Sequence, residues 1–469
     1  MDFPVFHLDF FGNRLLIATI ASLHVLINHM LAVGAVPMIA AMEWWGWRRR
    51  DARWDDLARR LLFVAFVVTT SLGALTGVGI WLSTSLVNPA AIGSLIRIFF
   101  WAWFVEWTVF VTEVALILVY FLTWKNWGAR HKAAHIAVGI VLAVASWLTM
   151  AIIVAILGFQ MDTGVWTVEQ SFRAALLNPV YLPQLAFRTP LAMVTAGFFG
   201  LFLTWFFTRG HPDLRIRATR FLSVWTLIWT GPWLAGAWLY YRVVPDAMRS
   251  NLPVALGSMR FENQYGTFVW LIAAAVGVCL VVALWGVVLP RRLPGAALLL
   301  PALLAIVMLS AFERAREFVR KPYVIASYMY ANALRLEDYP FYGEQGLLTR
   351  ATYGPTAADG ATADGAAEGA GLEAGEAMFR LACSRCHTTR GVNGVVAKLE
   401  NLYGRRPWDP ETVGAYLQGM HNARPFMPPL PGTAAERDAL ARYLVALQAR
   451  HRTLEGAQTA GAAGRATAF

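Results

Sequence analysis

Two thiols and an imidazole stand together at Cys383-Ser-Arg-Cys386-His387. Cysteines at this spacing lie on one helical turn, where both sulfurs can form thioethers to the two vinyl groups of a haem. The histidine that follows is then placed to ligate the iron. A low-spin haem of this kind takes a second axial ligand, supplied by Met or His. Met427, in FMPPLPG ahead of a helix-patterned run, is the first candidate, with Met420 and His421 behind it. Zinc is the competing use of such a motif, but zinc asks for a second pair of similar ligands. The third cysteine, Cys279, sits far off in an apolar run.

A second set of chemically capable residues lies inside long apolar runs, where ionisable groups are costly and therefore point to function. IASLHVLINHM carries His24 and His29, about 140° apart on a helix, so one iron is not expected to take both. WAWFVEWTVFVTEV carries Glu106 and Glu113, seven apart and on nearly the same face. Carboxyls stacked this way suit proton relay, although a protonated carboxyl bonded to a neighbouring helix would also satisfy them. His131 and His135 adjoin a basic loop and read as membrane-interface residues. Finally, FERAREFVRKPY (Phe312–Tyr323) crowds Glu313, Arg314, Arg316, Glu317, Arg320 and Lys321 against the end of an apolar run. A charged flank that snorkels to the interface is the plain reading.

These residues need elements to hold them. The chain is 57% hydrophobic and 15% charged over 469 residues, too apolar for an ordinary soluble protein. Apolar runs at roughly 13–42, 61–87, 98–124, 134–159, 185–208, 218–241, 266–290 and 294–312 are each long enough to cross a bilayer core of about 30 Å. They lack the two-residue alternation of barrel strands, so helices are expected. The net charge of +11 does not mark a nucleic-acid binder, because Arg and Lys concentrate in alternate loops. By the positive-inside rule those loops are cytoplasmic, and eight spans put both termini on the outer face. Residues 1–345 form this membrane domain. Residues 346–370, rich in Ala, Gly, Asp and Thr, read as a flexible linker. A small globular pattern fills 371–452, and 453–469 reads as a disordered tail. The expected fold is all-α: a polytopic helical bundle plus a small helical domain.

Two resemblances join these readings. Gly375, Phe379, the Cys383–His387 motif, Met427-Pro-Pro and a closing helix resemble monohaem class I cytochromes c over 371–450. Attachment of such a haem occurs outside the bacterial inner membrane, in agreement with the arginine-derived topology. The membrane domain resembles subunit I of cytochrome bd-type oxygen reductases over 13–325. It carries, in order, His24 in the first helix, GALTG at Gly73–Gly77, FVEWT at Phe104–Thr108, LLNPV at Leu176–Val180 and EFVRKPY at Glu317–Tyr323. That resemblance implies His24 as the ligand of haem d, Glu317 as the ligand of a high-spin haem b, and Arg320 beside haem propionates. It places Glu106 near the haem pair. A second haem b in place of haem d fits the same ligands.

The departures carry equal weight. The family's low-spin haem b uses a His a few residues after L-N-P-V, with a Met on a later helix. Arg188 stands at the aligned position here, and YGTFVWLIAAAVGVCLVVALW has no Met, so the resemblance does not carry that haem over. The family's long quinol-binding loop is cut to about 242–266. The tethered c haem then replaces the quinol site as electron entrance, and the resemblance implies reduction of dioxygen to water. It also implies a membrane partner like subunit II and a periplasmic donor such as a cytochrome c. A quinone–cytochrome electron-transfer subunit without oxidase activity is the first alternative, and a haem-based sensor or membrane anchor the second.

Overall fold

The computed structural model describes residues 5–127, 131–256, 265–351 and 366–466. The chain is mostly helical. Among the described residues, seven helices are long and apolar enough to cross a membrane: α1 (Asn13–Arg49), α2 (Ala52–Val87), α3 (Phe100–Trp127), α4 (Lys132–Met161), α5 (Tyr181–Phe207), and two later ones, Gly266–Val288 and Ala297–Val319. Between these groups lies α6 (Pro212–Val243), which holds the eighth expected run. It has the length, but four tryptophans, its threonines and Pro232 dilute its apolar character below that of the seven. The later pair are α7 (Gly266–Val288) and α8 (Ala297–Val319). Leu75, Val78, Trp101, Trp107, Leu122, Trp270 and Val281 stand more than half exposed on α2, α3 and α7. Such apolar exposure has lipid or another membrane chain as its natural neighbour. The chain is a multi-pass membrane protein.

Two compact units emerge. One comprises residues 20–80 and 95–320; the other comprises 1–19, 81–94 and 321–469. In the first, α5 packs on α6, on α8 and on a widened turn of α1. That close approach needs Gly34, where a Cβ would sit 2.1 Å from the Ala192 carbonyl oxygen. Two stretches, Asn28–Gly34 in α1 and Thr69–Gly73 in α2, are π-helical. Such insertions recur where a helix serves a functional site.

The second unit holds the small helical domain: α9 (Ala366–Ala382), α10 (Val395–Tyr403), α11 (Pro410–Ala423) and α12 (Ala434–Ala466). Met378, Phe379, Leu399, Val413, Leu417, Leu440 and Leu444 form its core. Asp409 caps α11 by accepting from the Thr412 N–H at 2.9 Å. The segment ahead of it, 321–351, carries a short antiparallel ladder (Tyr323–Ile325 with Met329–Tyr330) and the helix Tyr339–Gln345.

Two segments differ from the sequence expectation. In the 346–370 stretch, the described residues on either side of 352–365 belong to the small domain. Leu347 and Leu348 are buried in the core of the small domain, and α9 is under way from Ala366, while 352–365 lies outside the described residues. The 453–469 tail continues α12 as far as Ala466, because its alanines are the strongest helix formers; residues 467–469 lie outside the described set.

Candidate functional site

The first centre forms where α9 ends. Its last turn runs into Cys383, whose carbonyl accepts from the backbone N–H groups of Cys386 and His387 at 3.0 and 2.9 Å. Both thiols are free and half-buried, not joined as a disulfide. His387 donates from Nδ1 to the Asn393 carbonyl at 3.1 Å, so its proton sits there and Nε2 keeps its lone pair. Removal from water pulls the imidazole down to about 4, which leaves it neutral at physiological pH. Asn393 closes the loop by donating to the Cys386 carbonyl at 2.7 Å. Among the described residues no three His, Cys, Asp or Glu side chains gather into a metal-binding group, so the zinc alternative has no second ligand pair. Two open thiols and one neutral, oriented imidazole fit covalent haem.

Met427 lies in the loop between α11 and α12. Its N–H donates to the Arg424 carbonyl at 2.8 Å, and its carbonyl accepts from His421 Nδ1 at 2.5 Å. His421 thus fastens the Met427 backbone.

The second set of candidates lies in the membrane unit. His24 donates from Nδ1 to the Gly73 carbonyl at 3.2 Å, inside the π-helical turn of α2, with Thr76 Oγ1 also 3.2 Å away. Nε2 is left with its lone pair, as an iron ligand requires. A Cβ on Gly77 would lie 3.3 Å from the imidazole, so the GALTG glycines keep α2 tight against this ring. His29 is committed elsewhere: Nδ1 bonds the Val25 carbonyl at 3.1 Å and Nε2 faces Arg188 Nη1 at 3.1 Å. That lone pair is taken, which removes His29 as a ready iron ligand.

Arg188 was the departure flagged by the sequence, and the structure gives it a place. It is 1% exposed, bonds Glu313 Oε1 through Nη2 at 2.7 Å, and lies over the Phe312 ring. Glu313 also accepts from Arg316 Nε at 2.9 Å. Arg188 and Arg316 are therefore the two arms of a buried ion cluster centred on Glu313, a correction to the reading of Arg316 as plain flank. Pattern alone could not find this, since Arg188 and Glu313 are 125 positions apart. Glu317 pairs with Arg320, which also reaches Gln160 on α4.

On α3, Glu113 accepts from Ser146 Oγ at 2.6 Å and from Thr149 Oγ1 at 3.3 Å, both on α4. Glu106 is half-buried two turns away and makes no hydrogen bond among the described residues. His135 departs from expectation. It is fully buried, bonded to Glu43 Oε1 at 2.6 Å and to the Tyr120 carbonyl at 2.8 Å. Tyr120 donates to Glu43 Oε2 at 2.7 Å, and Lys132 approaches Glu43 Oε1 at 2.6 Å. The signal that could have found this was Glu43 itself, an acid near the end of an apolar run. His131 is exposed, as an interface residue is expected to be.

Comparison with known proteins follows these divisions. Residues 370–444 match the family model for cytochrome C oxidase, cbb3-type, subunit III. No curated protein matches the sequence. The fold is similar to that of a solved bd oxidase chain from Geobacillus thermodenitrificans, at 17% identity and a TM-score of 0.55, over 69% of this chain and 90% of that one. At that identity the likeness is one of fold. The chain therefore joins a bd-oxidase-like membrane fold to a C-terminal cytochrome c domain.

Proposed function

We propose that this chain is the catalytic subunit of a terminal oxygen reductase that takes electrons through its cytochrome c domain. The observation that carries the reading is the pair of histidines, His387 and His24, each with Nδ1 spent on a backbone carbonyl and Nε2 left with its lone pair. Bound haem supplies iron that exchanges electrons and, where a coordination position is open, binds and reduces dioxygen.

The chain's own residues do the rest. Cys383 and Cys386 anchor the c haem, and His387 and Met427 ligate it. His24 and Glu317 ligate a membrane pair, a high-spin haem b with haem d or a second haem b. Arg320 offsets propionate charge beside Glu317. The aligned position of the low-spin haem b ligand is filled by Arg188, locked on Glu313, and no ligand for that haem is assigned. Reduction of dioxygen to water consumes protons as well as electrons. Glu113, held by Ser146 and Thr149, and Glu106 on the same face of α3 hold and pass them. The c domain and both termini lie on the periplasmic side, from the arginine bias of the alternate loops. A membrane partner related to the bd second subunit and a periplasmic cytochrome donor complete the assembly.

A pyridine-haemochrome spectrum with haem extraction tests this. We expect one covalent c haem plus non-covalent haem, and dioxygen uptake with reduced cytochrome c as donor. A c haem with no extractable haem would sink the oxidase reading. His24→Ala and Glu317→Ala should each remove a membrane haem signal and leave the c haem spectrum unchanged.

A further inference from the structure

The two loops that carry the axial-ligand candidates His387 and Met427 are both gripped by segments from outside the cytochrome domain. On the His387 side the grip comes from the N-terminal residues. Asp9 Oδ1 accepts from the Thr389 N–H at 2.9 Å and from its hydroxyl at 2.5 Å. The Phe10 carbonyl accepts from the Val392 N–H at 2.8 Å. Gly391 packs so tightly on this strand of chain that a Cβ there would lie 1.9 Å from the Phe10 oxygen. Gly12, at a φ of +83°, turns the chain beside Thr388 and leads into Asn13, which ties the segment back by accepting from the Leu8 N–H and donating to the Phe6 carbonyl. His7 meets the Phe379 ring edge-on at 6.2 Å.

On the Met427 side the grip comes from residues 321–351. Tyr339 donates its hydroxyl to the Pro429 carbonyl, two residues past Met427, at 3.2 Å, and is itself held by Asn332 at 3.0 Å. Glu436 at the start of α12 accepts from the Leu347 and Leu348 N–H groups at 2.9 and 2.8 Å. Tyr342, Leu347 and Leu348 are buried in the same apolar core as Met378, Phe379 and Leu440. Buried aromatic and aliphatic contact of this extent, with its backbone groups satisfied, is what a stable interface consists of.

We propose that the cytochrome c domain is an electron carrier clamped at both haem-ligand loops by Phe6–Asn13 and Lys321–Arg350, forming with them one body that does not come apart when the chain between residues 352 and 365 is cut. This rests on the c-haem reading only for the naming of the two loops; the docking stands on the contacts.

The test uses the full chain with a protease recognition sequence placed between residues 352 and 365. After cleavage in detergent, the C-terminal fragment should co-elute with the membrane part, and backbone exchange at Thr389 and Val392 should stay slow. Gly391→Ala, which forces a Cβ against Phe10, should speed exchange at Val392 with the haem c absorbance unchanged, while the cleaved fragment stays bound through Tyr342, Leu347 and Leu348. Asp9→Ala, at a half-exposed side chain outside the cytochrome core, should speed exchange at Thr389 about tenfold. Separation of the otherwise unsubstituted fragment upon cutting, or no change in exchange with Asp9→Ala, would overturn the docking. Polypeptide co-elution is read without dioxygen turnover, so an inactive oxidase and an undocked domain give different results.

Discussion

Arg188 and Glu313 meet as a buried ion pair, Nη2 to Oε1 at 2.7 Å, between α5 and α8. Glu313 is also the counter-charge of Arg316. The cluster is therefore asymmetric: one carboxylate serves two guanidinium groups. Removing one partner of a buried pair leaves an uncompensated charge, at a cost of about 3–5 kcal/mol. Glu313→Gln strips both arginines and should fall at the top of that range. Arg188→Met leaves Glu313 paired with Arg316 and should cost less. Thermal unfolding of the two variants in one detergent checks the order; equal losses would contradict the shared-carboxylate geometry.

Glu113 offers a separable test of proton delivery. Glu113→Gln keeps the acceptor for Ser146 and removes the exchangeable carboxyl proton. Loss of a positioned acid–base group lowers rate by about 10²–10⁴-fold. Dioxygen turnover should drop on that scale while the haem spectra and the melting temperature hold. Ser146→Ala should give a smaller fall, since Thr149 still faces the carboxylate.

The Glu43 cluster predicts a stability effect without a spectral one. Tyr120→Phe deletes a hydrogen bond to a buried carboxylate, worth about 1.5–3 kcal/mol. His135→Ala deletes the link from α4 to both Glu43 and the Tyr120 carbonyl and should cost more. A melting curve distinguishes them; full stability in His135→Ala would show that Glu43 repartners.

The N-terminal dock carries a pH signature. Asp9 is held below its ordinary value: partial burial opposes the charge, but the two Thr389 hydrogen bonds and the nearby His7 favour it more. His7 and Tyr443 are the titratable groups that face it. A depressed carboxyl stabilises the docked form at pH above its ordinary 3.8 and loses that contribution as pH falls through the lowered value. Amide exchange at Thr389, corrected for its intrinsic pH dependence, should thus show constant protection from about pH 5 to 8 and loss only in stronger acid. A protection change centred near neutrality would assign the dock to another group.

Much of this protein was legible from local pattern. Apolar run length announces a membrane helix because each span must satisfy its own backbone hydrogen bonds, whatever its neighbours. The Cys383–His387 spacing announces haem because one helical turn suffices to set both sulfurs. His24 stood out as a polar group in an apolar helix. Its preparation did not, because the Gly73 carbonyl that orients it comes from a π-helical turn about fifty positions later.

What only the tertiary structure decided is where charges and loops find partners. Arg188 read as a lost ligand, and Arg316 as flank; folding makes them the two arms on Glu313. His135 read as an interface residue, and packing of α1, α3 and α4 buries it against Glu43. Asp9 carried no signal at all, and it closes on Thr389, 380 positions away. Sequence fixes properties set within a few turns of one chain segment: helix, span, haem motif. Pairings across hundreds of positions depend on which faces pack together, and one buried counter-charge or one bonded loop then separates a ligand from a structural tie.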